Sequence, residues 1–403
     1  MRAEFTTALR HGEKRSAVYE QSFSVRYDYA VWFTEHLFAP DNPVFRDTLL
    51  RREPDKRHRF AAFIDAEVAA AFPSLADDIA GYARHHGQAM ELLATPDVVP
   101  GGEQVKNEPA LLSQLQRRLV ALGLDRHSFA VGIGGGAFLD LIGYAASTTH
   151  RGLRHIRVPT TVLAQNDSGV GVKNGVNAFG VKNLLGSFAP PFAVLNDSDF
   201  LHTLQPRDKI AGVAEAVKVA LIRDRAFFDW LEASAEALRA CDSAAMSYMI
   251  RRCAELHMRQ IAHGGDPFET GSARPLDYGH WSAHRLEALT DHVVRHGEAV
   301  AIGLALDARY SVQVGMLPAG GEDRVHALLK RLGFELWHPA LESRDAEGQW
   351  QLLRGLKEFR EHLGGELTIT LLRDIGVGEE VHEMDADEIR RALVWLRQQE
   401  LGA

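Results

Sequence analysis

Cysteine is nearly absent: the chain of 403 residues has two, Cys241 and Cys253. That excludes a disulfide framework and any four-cysteine zinc module, so a metal, if one is held, must be held by histidine and carboxylate. No apolar run approaches the roughly 20 residues that span a bilayer. The longest, such as Ala299 to Leu306, fall far short, and the charged stretch from Met1 to Arg15 contains no apolar signal core. A cytoplasmic protein with no membrane partner is expected. Basic surplus is missing too: 45 Lys and Arg stand against 54 Asp and Glu, a net −9. With no basic patch to offset that field, no nucleic-acid partner is expected. Internal repeats and low-complexity segments are likewise lacking. What remains is globular composition, 46% hydrophobic and 25% charged, with length for two to three domains and a cleft between them.

The first twenty or so residues are polar and aperiodic and read as an arm, 1–20, outside the core. From Phe23 to about Thr203, short apolar runs alternate with helix-length segments: Arg59 to Asp65, His127 to Ile133 and Arg154 to Val158 read as strands. Strands so spaced predict a parallel α/β sheet over 21–205. After Leu204 the period changes. Ile210, Val213, Ala214, Val217 and Leu221 recur at helical spacing, as do stripes through Ala244–Ile261, Ala299–Val314 and Ala386–Gln399. A mostly α-helical domain is expected over 206–403, with one late strand at Leu367–Leu372 and the boundary near Gln205 and Pro206.

The strand ending at Val131 runs through Gly132-Ile-Gly-Gly-Gly-Ala137 into an apolar helical pattern. Such glycines let backbone N–H groups approach a phosphate at a helix N-terminus; a plain tight turn is the alternative. The acid expected about 20 residues on in the standard dinucleotide fingerprint is missing, so a dinucleotide's ribose must be gripped elsewhere, and Asp65 is placed for that. Pro159 to Asn177 and Gly180 to Gly186 are dense in glycine, hydroxyl, amide and lysine. That composition suits a loop gripping a hydroxylated phosphate, with Lys173 and Lys182 as point charges and Asn183 as an oriented donor; a solvated surface loop is the bland alternative. Glu215 and Lys218 stand at i, i+3, alone most often a surface ion pair. His280 and His284 share a helical face, and His296-Gly-Glu298 follows sixteen residues after His280. Two of these histidines with an acid would make a metal site. Cys253 and His257, at i, i+4 but with no third ligand near, read as packing.

In this order the pieces resemble the sugar phosphate cyclases, the superfamily of 3-dehydroquinate synthase, from about Asp65 to about Ile375. Glu103 and Lys106 match the family's Glu-x-x-Lys; Gly134-Gly135-Gly136 with Asp140 matches its Gly-Gly-Gly and aspartate; Arg151-Gly and Pro159-Thr160-Thr161 match the next block. Asp167, Lys173, Lys182 and Asn183 match Asp-x5-Lys…Lys-Asn, with Phe200 and Thr203 beyond as cofactor contacts. Glu215 and Lys218 fall on Ala-Glu-x-x-Lys, and His280, His284 and His296 on Gly-His-x-x-x-His…His-Gly-Glu. The resemblance implies a dehydroquinate synthase-like fold: an α/β N-terminal nucleotide-binding domain and an all-α C-terminal metal-binding domain. It implies NAD as a catalytic cofactor and a divalent metal, Zn2+ or Co2+, on Glu215, His280 and His296. His284 is implied to handle phosphate, and a homodimer is implied in which Arg151 reaches the neighbouring site. The implied reaction is a redox-neutral lyase sequence: hydride removal, phosphate elimination, hydride return and aldol closure of a sugar phosphate to a cyclitol.

Three departures bear on substrate. The family's Arg-x-x-x-Asn before Gly-His, which helps receive a substrate carboxylate, is here Ala273 and Asp277, and an anion there repels a sugar acid but accepts hydrogen bonds from a neutral ketose. The family lysine before the acidic Glu269 becomes Arg259, and a C-terminal lysine context becomes Phe359-Arg-Glu-His362. Arg274 to His280 and Phe359 to His362, with Arg360, look like the branch that cyclises sedoheptulose 7-phosphate to valiolones, though His284 is usually proline in the 2-epi-5-epi-valiolone synthases. A 2-epi-valiolone-type product is the reading preferred. The alternatives are a 3-dehydroquinate synthase, another hexose-phosphate cyclase, or an NAD-linked, metal-dependent polyol dehydrogenase, for which Lys173, Asn183, Lys218 and His284 would be superfluous.

Overall fold

The computed structural model describes residues 10–11, 14–15, 20–179, 181–268, 275–362 and 367–402. Two-residue strands β1 (Arg10–His11) and β2 (Lys14–Arg15) pair with each other ahead of the body. The N-terminal half is built on one sheet. Its strands are β3 (Ala30–Thr34), β4 (His58–Asp65), β5 (Met90–Leu92), β6 (Asp97–Val99), β7 (Phe129–Gly134), β8 (Arg154–Pro159) and β11 (Ala193–Asp197). The order is β3-β11-β8-β7-β4-β5, with β6 also on β4, and every pairing is parallel. The three strands expected from the sequence are β4, β7 and β8, within two residues at each end.

These strands read as continuous apolar runs because both faces are covered. Alternate residues of β4 serve two separate cores: Phe60, Ala62 and Ile64 pack with Leu75, Ile79 and Tyr82 of the helix Leu75–His85, whereas Ala61 and Phe63 pack with Leu115 and Leu119 of Pro109–Ala121 and with Phe138 and Leu141 of Gly136–Thr148. All the strands of the sheet run the same way, so their C-terminal ends, Asp65, Gly134 and Pro159 among them, form one edge.

The segment expected as a polar loop after Pro159 is ordered instead. A π-helical turn, Ala164–Ser168, leads into an antiparallel hairpin of β9 (Lys173–Ala178) and β10 (Val181–Phe188). Glycine, asparagine and lysine are poor strand formers, and the reason lies elsewhere in the chain. Arg157 of β8, fully buried, donates to the carbonyls of Gly169 (2.9 Å), Gly171 (2.8 Å) and Lys173 (2.7 Å) and to Asn174 Oδ1 (2.8 Å). A buried guanidinium must be satisfied, and satisfying it pins the hairpin to the sheet.

The rest is helical. Val213–Arg223 is buried along nearly its whole length and packs against Arg225–Ala233, Ser243–His263 and His296–Gln313; with His280–Leu289 and Ala386–Leu401, which lie against His296–Gln313, these merge into one apolar core. The late strand is present as β12 (Ile369–Asp374), with an antiparallel partner, β13 (Val377–Val381), that the sequence reading omitted. Among the described residues, no helix is long and apolar enough to cross a membrane.

Candidate functional site: a nucleotide edge beside a histidine-carboxylate cluster

At the C-terminal edge of the sheet, Gly134 ends β7 and Gly135 caps the helix Gly136–Thr148. A Cβ on Gly134 would lie 2.6 Å from the Phe138 ring, and one on Gly136 2.6 Å from Ser168 Oγ; at Gly135 the nearest atom is Thr161 Cγ2 at 3.4 Å. The outer glycines are required by packing, and the middle one faces room. Asp65 lies against Gly134 and Gly101, its carboxylate accepting from the Glu67 N–H at 2.9 Å, and burial raises its pKa. Thr160 donates its N–H to the Gly134 carbonyl (3.0 Å), and Thr161 Oγ1 accepts from Ala164 N–H (3.1 Å). Beside this edge stands a charged group: buried Lys106 donates to Asp140 (2.7 Å) and to Asn183 Oδ1, and Lys182 lies 3.7 Å from Glu103. Asn183 takes φ 55° at the hairpin's irregularity and is fixed there by a bond from its N–H to Asn177 Oδ1 (2.8 Å).

The helical half approaches with the N-termini of two helices. His280 opens His280–Leu289 after Gly279 at φ 77°, and His296 opens His296–Gln313. Close contact sets their positions: a Cβ on Gly303 would fall 2.0 Å from the Gly279 carbonyl oxygen, and one on Gly297 1.9 Å from that of Ala211. Ligand atoms of Glu215, His280 and His296 all lie within 4.8 Å of one another. Glu215 Oε1 is 3.7 Å from His280 Nε2 and 3.4 Å from His296 Nε2. His280 Nδ1 is 3.0 Å from the Tyr278 carbonyl, which can only accept, so Nδ1 carries the proton and Nε2 offers its lone pair. His296 Nδ1 donates to Glu287 Oε2 at 3.0 Å. Two imidazoles oriented in this way and a fully buried carboxylate whose Oε1 has no aligned donor fit a divalent metal with an open fourth position. His284, Glu287 and His296 form an overlapping cluster. There, however, the Lys182 ammonium already lies 3.0 Å from Glu287 Oε1.

Lys218 is buried between Glu215 (2.5 Å) and Asp167 (3.5 Å). Burial alone would lower its pKa, but the two carboxylates overrule that and hold it charged well above the usual lysine range. Asp167 and Glu215 are in turn held ionised against their burial, chiefly by Lys218. His284 is kept neutral by burial and by the neighbouring His280 and Lys182, its ring 5.3 Å from that of His280 and 5.8 Å from that of His296. Burial would lower His296 as well, but Glu287 and Glu215 raise it to about 9. Asp277 closes the short turn Pro275–Asp277 just before Gly279, near enough for its charge to act on Lys218 and His280.

Not every expected residue comes to this cleft. Arg259 points outward, its side chain 59% exposed, and pairs with Glu255 one turn back. His257, read as packing, takes the inward position: its Nδ1–H donates to Asp167 Oδ1 at 2.9 Å. Residues two positions apart on a helix point about 200° from each other, so only one of His257 and Arg259 can face the site. Cys253, one turn before His257, is core. Phe200 turns its ring into the core against Phe72 (centroids 5.2 Å apart) rather than toward a nucleotide, and Thr203 Oγ1 bonds back to the Phe200 carbonyl (3.4 Å). Asp167 pairs with Lys218 (3.5 Å) and His257 (2.9 Å), next to Ser168, which lies against Gly136. Lys173, first in β9, is exposed. Arg151 lies on an exposed loop ahead of β8, in a shallow recess with Asp125, Arg126, His127 and His150. That is the opposite end of the strand from Thr160, about 20 Å away at the usual rise. Glu269, Ala273 and Arg274 fall outside the described residues, as does the side chain of His362; Arg360 is exposed. Glu287 was missed by sequence reasoning, although a carboxylate one turn beyond His284 was a signal for it.

Residues 97–211 match the 3-dehydroquinate synthase N-terminal domain, and residues 212–357 the 3-dehydroquinate synthase C-terminal domain. A 3-dehydroquinate synthase of Halorhodospira halophila (strain DSM 244 / SL1) is 40% identical over 264 residues, 65% of this chain and 72% of that protein. Among solved structures, the fold is similar to ValA, a 2-epi-5-epi-valiolone synthase of Streptomyces hygroscopicus subsp. jinggangensis 5008 with NAD+ and Zn2+ bound (TM-score 0.81, 28% identity, 94% of this chain and 99% of that one). It also resembles a 2-deoxy-scyllo-inosose synthase complexed with carbaglucose-6-phosphate, NAD+ and Co2+ (TM-score 0.71, 24% identity, 93% and 96%). By domain matches, identity and coverage, the chain belongs to the 3-dehydroquinate synthase family, within the sugar phosphate cyclase superfamily.

Proposed function

We propose that this protein cyclises a ketose phosphate with a neutral head, sedoheptulose 7-phosphate, to a 2-epi-valiolone-type cyclitol, using NAD+ catalytically and a divalent metal. The observation that carries the reading is one cleft: Glu215, His280 and His296 converge beside a Lys218 held charged by two carboxylates and a neutral His284, with Asp277 at its rim. NAD+ would accept and return a hydride, and Zn2+ or Co2+ on Glu215, His280 and His296 would polarise vicinal substrate oxygens and lower the pKa of the alcohol to be oxidised. The chain's own groups do the rest. Gly134, Gly135 and Gly136 present the helix N-terminus to the pyrophosphate, Asp65 the ribose acceptor, and Glu103, Lys106, Asp140, Thr160, Thr161 and Lys182 line the nucleotide edge. Lys218 cannot serve as a base while it is charged; it fixes anionic oxygen. His284 Nδ1 or Nε2, neutral at pH 7, accepts a proton or donates to phosphate. Asp277 accepts hydroxyl hydrogens where a carboxylate would be repelled.

A second reading is favoured by one observation: the 40% identity to the Halorhodospira 3-dehydroquinate synthase supports a heptulosonate substrate. Phosphate release from both substrates, measured side by side with NAD+ and metal, separates the two. The proposed function requires at least roughly tenfold higher kcat/KM for sedoheptulose 7-phosphate, a difference of about 1.4 kcal/mol; equal or better turnover of the heptulosonate restores the 3-dehydroquinate synthase reading. Arg151, on the far edge of the sheet, would serve a neighbouring subunit's site in a homodimer, and a fully active monomer in sedimentation would refute that part.

A further inference from the structure

We infer that Glu287 is a positioning residue that holds His296 in ligand geometry and, through Lys182, links it to the nucleotide side of the cleft. The inference rests on the proposed metal set and on Lys182 serving the nucleotide, and it assigns a role to a residue outside both. Glu287 is 4% exposed, and each of its oxygens serves a different element. Oε2 accepts from His296 Nδ1 at 3.0 Å, at the start of His296–Gln313, while Oε1 accepts from Lys182 Nζ at 3.0 Å, on hairpin strand β10.

The first bond decides which edge of the imidazole faces Glu215. With Nδ1–H fixed on Glu287, Nε2 points at Glu215 Oε1, 3.4 Å away. Without it, a half-turn of the ring would put carbon where Nε2 stands. Carboxylates that orient ligand histidines typically contribute 10–100-fold in metal affinity. The second bond brings in the other half of the molecule. In the described structure Lys182 divides its charge between Glu287 and Glu103. A nucleotide phosphate that draws Lys182 away takes the lysine from Glu287 and leaves it to His296, with His292 Nδ1 more distant at 3.9 Å from Oε1; the carboxylate becomes a stronger acceptor on Nδ1–H and His296 a better donor at Nε2. Nucleotide binding therefore tightens metal binding, and by linkage metal tightens nucleotide binding by the same factor.

The test is titration of the metal-free protein with Co2+, whose d–d absorption reports tetrahedral nitrogen and oxygen ligation, with and without NAD+, for the wild type, Glu287→Gln and His280→Ala. Folding of each variant is checked by circular dichroism. The expected result is affinity 10–100-fold weaker in Glu287→Gln, tightening by NAD+ in the wild type that disappears in Glu287→Gln, and loss of stoichiometric binding in His280→Ala. If His280→Ala loses metal but Glu287→Gln binds as the wild type does, the inference about Glu287 fails while the metal set stands. If Glu287→Gln abolishes binding and His280→Ala keeps it, the ion sits on His284, Glu287 and His296, which overturns both. Unchanged binding in both variants overturns the metal set itself. Should Glu287→Gln be too unstable to titrate, Lys182→Met carries the coupling arm: NAD+-dependent tightening that survives there refutes the link.

Discussion

Replacing Lys218 with methionine isolates the buried charge at the centre of the cleft. The ammonium stands 2.5 Å from Glu215 and 3.5 Å from Asp167, with all three groups largely out of solvent. Methionine fills similar volume, so the packing cost is small, but two buried carboxylates lose the cation that keeps both ionised. Removing one partner of a buried ion pair costs about 3–5 kcal/mol, a large share of the roughly 5–15 kcal/mol that holds a domain folded. A divalent ion on Glu215, His280 and His296 would replace the lost charge, and without Lys218 it would no longer be repelled. The variant should therefore be less stable than the wild type in chelator, yet bind Zn2+ more tightly, so that saturating metal narrows the gap. At 100 times Kd, binding alone adds about 2.7 kcal/mol. Phosphate release should still fall at least about tenfold to a hundredfold, because a charge-assisted hydrogen bond to substrate is worth about 1.5–3 kcal/mol. Urea midpoints in EDTA and in excess Zn2+, with a competitive Zn2+ titration, read all three. Equal stability in EDTA, or weaker metal binding, would refute the reasoning, since either would mean that Lys218 does not oppose Glu215 and Asp167 as the distances imply.

Gly135→Val places a branched side chain on the open side of the turn, where Thr161 Cγ2 is 3.4 Å from the new Cβ; NAD+ affinity should fall at least tenfold with the fold intact, and unchanged affinity by calorimetry would reduce the glycines to a turn. Gly297→Ala would drive a Cβ to 1.9 Å from the Ala211 carbonyl oxygen, so it should destabilise by about 1–3 kcal/mol and weaken metal binding by displacing His296; a wild-type metal stoichiometry and urea midpoint would contradict that. Asp307, buried and bonded to Trp281 Nε1 (2.9 Å), has a pKa raised to about 7 by burial. The folded carboxyl stays protonated where the unfolded one ionises, so its contribution is complete below about pH 4, declines as pH rises toward 7 and is lost above. Asp307→Asn should match the wild type at pH 5 more nearly than at pH 8, where it should be more stable by on the order of 2–4 kcal/mol; an equal shift at both pH values would exclude the titration.

The sheet was legible where strands are buried on both faces, because β4, β7 and β8 carry unbroken apolar runs whatever surrounds them. The hairpin of β9 and β10 was not, since it is pinned by Arg157 reaching out of β8 to four backbone carbonyls and to Asn174, and nothing in Lys173-Asn-Gly-Val-Asn-Ala178 announces that. Among site residues, the spacing of His280, His284 and His296 was enough to draw attention to all three, and the structure brings them together. Arg259 and His257 show the limit of that method. Both stand on one helix, and the resemblance singled out the arginine while His257 read as packing; which face looks into the cleft is decided by Cys253 and its neighbours packing into the core, which drags His257 inward to Asp167 and leaves Arg259 in solvent.

The triplet His296-Gly297-Glu298 shows how a chemical motif divides into mechanical parts. Only His296 offers a ligand atom to the cluster. Gly297 is needed because the helix lies against the Ala211 carbonyl, leaving no space for a side chain. Glu298 caps its own helix, accepting the Arg295 N–H at 3.0 Å, and clasps Arg207 through both oxygens at 2.6 and 2.7 Å. Arg207 belongs to Pro206–Ala211, the short helix that leads directly to Glu215. The cap, the glycine contact and the ion pair thus fix the separation between the helix that carries Glu215 and the one that carries His296, two residues 81 positions apart in the chain. Ligand geometry at this distance in sequence is a property of those contacts, and a substitution at Arg207 that spared every ligand atom would still loosen the cluster.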